Sequence, residues 1–126
     1  MKNEYVDKVA NAIYNEIKEN YEVIKINKDD LYEVKKYNQY VEYKLNEFKL
    51  HELLNPEGYK ISGEIIISAH VYIPSIDEPR NLSTDKLFSF IINDTLIQFD
   101  PETEEFQICN DINVRYITLI KGIFGR

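Results

Sequence analysis

A chain of 126 residues, 44% hydrophobic and 29% charged, has the size and composition of one folded domain, which the reading takes to span 1–126. Its net charge of −7, from 22 acidic and 15 basic residues, disfavours attraction to nucleic acid or to an anionic membrane and suits a basic protein partner. A single cysteine, Cys109, excludes an internal disulfide and favours a reducing, intracellular setting, and no apolar run approaches the ~20 residues of a membrane span.

The start, Met1-Lys2-Asn3-Glu4-Tyr5, has no apolar signal segment and runs into an amphipathic helix over 3–20. Val6, Val9, Ala10, Ile13 and Ile17 recur at helical spacing, with polar residues between them. Asn3 is placed to cap this helix, Glu4 and Asp7 favour its positive end, and Asn20 stops it. Glu22 to Ile26 reads as a short strand, followed by a polar turn over 27–30. Within 31–54 the alternation of Val41, Tyr43 and Leu45 with Glu42 and Lys44 predicts a strand, and Leu50, Leu53 and Leu54 suit a helical turn halted by Asn55-Pro56, so the stretch reads as a strand followed by a short helix or an irregular turn. Tyr59 to Ile73 is rich in β-branched residues and predicts a long strand, with Gly63 marking a bulge. A loop between Pro74 and Arg80 follows.

The next segment has two readings. Ser83 or Thr84 can cap a helix over 85–93 that buries Leu87, Phe88, Ile91 and Ile92; the alternation of Phe88, Phe90 and Ile92 argues for a strand. Helix is preferred. Thr95–Phe99 and Glu105–Cys109 flank Asp100-Pro101-Glu102-Thr103-Glu104, a hairpin signature. A turn over 110–113 leads to a last strand, Val114–Ile120, in which Val114, Tyr116 and Thr118 face away from Ile117 and Leu119. The fold class that results is α+β: a mainly antiparallel sheet carrying the N-terminal helix and a second helix.

No reactive constellation assembles from these residues. His51 and His70 stand alone, without ligand-spaced neighbours, so no metal is implied. Cys109 lies in a strand pattern and reads as a small hydrophobe more readily than as the partner of a histidine. The four glycines, at 58, 63, 122 and 125, form no phosphate loop, and no cofactor is implied. Tyr32, Lys35, Lys36, Tyr37, Tyr40, Tyr43, Lys44, Phe48 and Lys49 interleave aromatics with bases, as single-strand binders do, but Glu33, Glu42 and Glu47 interrupt them. Packed aromatics with solvated lysines are the plainer reading.

Charge is segregated towards the C-terminus. Residues 100–111 hold Asp100, Glu102, Glu104, Glu105 and Asp111 with no base; residues 112–126 hold Arg115, Lys121 and Arg126 with no acid. Ile123 and Phe124 extend apolar character past the last strand. Either they fold back on the domain's own core, or they anchor a basic arm on a neighbour, for which the acidic hairpin of an identical subunit is a natural acceptor. The candidate interface residues are therefore Glu102, Glu104, Glu105, Arg115, Lys121, Ile123, Phe124 and Arg126.

The order of elements resembles the tail-terminator and head–tail completion proteins of tailed bacteriophages. The residues that carry the resemblance are an N-terminal helix over Val6–Ile17 leading to a strand, a long strand over Ile65–Ile73, a capped helix over Thr84–Ile92, and closing strands. The resemblance covers most of the chain and implies an α+β subunit of a ring, made in the host cytoplasm and carried in the virion. It transfers no functional residue. The expected function is that of a non-enzymatic structural or adaptor protein, binding copies of itself or neighbouring virion proteins. The alternative is an acidic binding or inhibitory protein whose carboxylates imitate nucleic-acid phosphates to a basic partner.

Overall fold

The computed structural model describes residues 4–27, 30–73 and 83–120. Asn3, the 74–80 loop and Lys121, Ile123, Phe124 and Arg126 lie outside them. Helix α1 (Glu4–Asn20) is followed by strands β1 (Val23–Lys25) and β2 (Leu31–Leu45), the one-turn helix α2 (Leu50–Leu53), then β3 (Tyr59–Tyr72), β4 (Ser83–Asp100), β5 (Glu105–Ile108) and β6 (Val114–Ile120). The strands form one antiparallel sheet ordered β1-β2-β3-β4-β5, with β6 also paired to β4. The α+β reading holds.

The helical spacing of α1 puts Val9, Ala10, Ile13, Tyr14 and Ile17 on one buried stripe, which covers one face of the sheet. Ile61, Ile65, Ile67, Ala69 and Val71 of β3 and Phe88, Phe90 and Ile92 of β4 meet it from below. Edge-to-face aromatic pairs tie the layers: Tyr14 with Tyr40, Tyr21 with Phe90, and Tyr5 with Phe106. The helix ends at Asn20, whose amide donates to the Glu16 carbonyl at 2.7 Å.

Strand β2 is longer than the 41–45 alternation predicts, because three bulges break its period. Val34, Tyr37, Tyr40 and Tyr43 stand opposite Val71, Ala69, Ile67 and Ile65. Every third residue of β2 thus meets every second residue of β3. Each bulge returns the next aromatic to the helix side and pushes an extra residue, such as exposed Lys35, Asn38 or Val41, to the other. Tyr37 donates its hydroxyl to the Tyr21 carbonyl, and Tyr43 donates to the Asp7 carboxylate. These tyrosines belong to the interlayer packing, and the lysines between them are exposed.

The segment 85–93 is strand, not helix. Thirteen cross-strand partners join β3 to β4, from Tyr59↔Ile97 to Tyr72↔Ser83, and this ladder outweighs a near-even local preference. Phe88, Phe90 and Ile92 turn to the core while Leu87 and Ile91 turn away. The sheet's second helix is α2, with Leu53 buried and the chain stopping at Asn55-Pro56 as expected. Gly63 sits at the predicted bulge between Ile61 and its neighbours. Its φ of 151° is one that side chains avoid, and a Cβ there would lie 2.3 Å from the Lys44 carbonyl oxygen.

Candidate interaction edge

Strand β4 carries a ladder to β3 along one edge, and its other edge is shared end to end by β5 and β6. Ile97 to Asp100 pair with Ile108 to Glu105, and Leu87 to Ile92 pair with Ile120 to Val114. The 110–113 segment is therefore not a reversing turn. The Cys109 amide donates to the Leu96 carbonyl and the Asn93 amide to the Asn113 carbonyl, both at 2.9 Å, so the chain keeps its heading along β4. Residues 105–120 make one interrupted edge strand.

The hairpin that opens this edge is built by Asp100. Its carboxylate accepts from the Glu102 amide at 3.0 Å, and its carbonyl accepts from the Glu104 amide at 2.7 Å. Glu104 adopts φ 58° to close the loop. Lys8 of α1 donates to the Glu104 carbonyl at 2.7 Å, fixing the hairpin to the helix layer. Glu102, Glu104 and Glu105 are all exposed, and none forms an ion pair with a described residue. Beside them, Gln98, Phe99, Asp100, Pro101 and Gln107 line a shallow open depression.

The far end of the edge has the opposite character. A register shift between Ile91 and Ile92 sets both Arg115 and Tyr116 against Ile91, a bulge that leaves both exposed. It also returns Val114 to the helix side with Ile117 and Leu119, so Val114 does not share a face with Tyr116 as the simple alternation predicts. Arg115, against Ile91, lies nine positions of β4 from Asp100 of the hairpin, roughly 30 Å. The acidic and basic groups of one copy are thus held apart along the strand. Among the described residues, the edge of β6 turned away from β4 pairs with nothing.

The chemically versatile side chains do not converge. His70 Nδ1 meets Asp85 Oδ1 at 2.8 Å, and Asn38 donates to the same oxygen at 3.4 Å. These contacts, His70 first, hold the Asp85 carboxyl below its ordinary value. The group lies on the open face of the sheet, with His70 42% and Asp85 67% exposed. Cys109 neighbours Leu96, eleven positions of β4 from Asp85, so it forms no pair with His70. Burial pushes its thiol up, away from the thiolate. Among the described residues no three of His, Cys, Asp and Glu gather as metal ligands, and no helix is long and apolar enough to cross a membrane.

The structure therefore gathers Glu102, Glu104, Glu105 and Arg115 on one edge, while the other four interface candidates lie outside the described residues. Sequence reading missed Ile108, Cys109 and Tyr116, which share that edge; their signal is the alternation running through 105–120 on either side of a polar interruption. Comparison with protein-family models, with curated proteins and with solved structures found no match.

Proposed function

We propose that the chain is a non-enzymatic structural or adaptor protein that works by associating with copies of itself through the edge at 105–120. One observation carries this reading: that edge, paired on one side alone among the described residues, bears exposed acids at Glu104, Glu105 and Asp111 and then an exposed base, Arg115. Unpaired strands template further strands, and natural domains blunt them with prolines, inward charges or covering elements. Strand β6 has no proline and one charge, Arg115. A neck or tail subunit of a tailed phage is one form of this reading. Light scattering across a concentration series tests it. Mass above that of one chain is the expected result; a single-chain mass throughout contradicts it.

A second reading rests on the exposed hairpin carboxylates, which no described cation neutralises. Glu102, Glu104 and Glu105 then offer phosphate-like charge to a basic protein. Binding of that kind falls steeply with salt and is lost when the three become Gln.

A further inference from the structure

We propose that two copies of the chain pair antiparallel along the 105–120 edge, β6 of each lying against β5 of the other about a two-fold axis. The proposal rests on the self-association reading above and gives that contact its partner, its symmetry and its register.

Charge order selects the partner. Read along the edge, Glu104 and Glu105 come first and Asp111 follows; Arg115 begins the basic end, and Lys121 and Arg126 come next in the sequence. Because β5 and β6 run in one line beside β4, antiparallel pairing of two whole edges sets Arg115 of each copy across from Asn110 and next to Asp111 of the other. Pairing β6 with β6 alone would set Arg115 of each copy opposite Leu119 of the other, with no acid to meet it. The sheet's opposite edge is made by the three residues of β1 and, past them, by the rest of β2, whose three bulges break the regular ladder a second strand would need.

Side-chain direction selects the register. Phe106 and Ile108 of β5 and Ile117 and Leu119 of β6 all turn towards the helix face. Directly opposed residues in an antiparallel pair share a face. The centred register that satisfies both strands puts Ile108 opposite Ile117 of the second copy and Phe106 opposite Leu119. It extends the core across the axis without exposing an apolar row. The same register puts Cys109 opposite Tyr116 of the second copy, both on the open face and both exposed.

That last pair supplies the test. In a Tyr116→Cys variant, mild oxidation with a disulfide reagent should give a covalent dimer on a non-reducing gel, lost when Cys109→Ser is added. Within one chain the two residues lie beside Leu96 and Ile91, five positions apart along β4, roughly 17 Å, far beyond the ~7 Å between Cα atoms that a disulfide spans. Tyr116 is 54% exposed, so the substitution leaves the core untouched. The unmodified chain should show twice its single-chain mass by light scattering. A dimer or larger assembly that gives no such cross-link overturns the two-fold edge pairing and leaves self-association standing. A single-chain mass up to about 100 μM, a concentration that excludes any but very weak pairing, overturns both.

Discussion

Tyr43 donates its hydroxyl to Asp7, tying the bulged half of β2 to the first turn of α1. That hydrogen bond, with burial second, pushes the Tyr43 phenol from its ordinary value of 10.0 up to about 12. The folded chain therefore favours the neutral phenol more than the unfolded chain does. The stability this contributes is complete below pH 10 and is lost as pH rises towards 12. Tyr43→Phe should cost about 1 kcal/mol at neutral pH and flatten the alkaline limb of stability, measured by urea unfolding at pH 7 and at pH 11.

The strand at 85–93 makes a prediction that a helix would not. Phe90→Ala should destabilise by about 3–5 kcal/mol, and Ile91→Ala by about 1 kcal/mol or less. Phe90 is fully buried in the core, whereas Ile91 turns to the open face. In a helix burying Leu87, Phe88, Ile91 and Ile92 the order of the two effects would invert. Denaturant midpoints of the two variants decide it.

Gly63→Ala should destabilise by about 3 kcal/mol or more, since the position combines a strained φ with a steric overlap that backbone must relieve. The nearest atoms are the carbonyl oxygen of Lys44 and the Cα of Leu45, neither of which swings aside as a side chain does. Thermal unfolding measures the loss.

Those positions also show what could be read from the chain itself. Helix α1 was legible because its apolar stripe is local and keeps one period. The hairpin at Asp100-Pro101 was legible because turn chemistry lies in adjacent residues. Strand β2 was only partly legible: Val34, Tyr37, Tyr40 and Tyr43 recur every third residue, a spacing that matches neither strand nor helix until the bulges are seen. The acidic hairpin and Arg115 were visible as charges. Their alignment on one edge was not, because it depends on β5 and β6 sharing a third strand. Polar residues such as Asn110, Asp111 and Asn113 suit a reversing turn and an interrupted strand equally well.

Charge at the edge is open to direct exchange. Arg115→Glu should weaken self-association about tenfold, since residue 115 lies next to Asp111 of the second copy and the altered contact occurs twice across a two-fold axis, turning attraction into repulsion. Adding Asp111→Lys should restore most of the loss. Both residues are exposed, so folding is unaffected, and sedimentation at two salt concentrations reads the change. The single variant should also respond less to added salt than the native chain.

Hydrogen exchange on the amides of Val114–Ile120 tests self-association through this edge most directly. Amides of β6 turned away from β4 should exchange freely in dilute solution and become protected as protein concentration rises, while those bonded to β4 stay protected throughout. Free exchange of the outward amides at every concentration, in a sample whose mass shows assembly, would contradict the account, because the copies would then be meeting somewhere else.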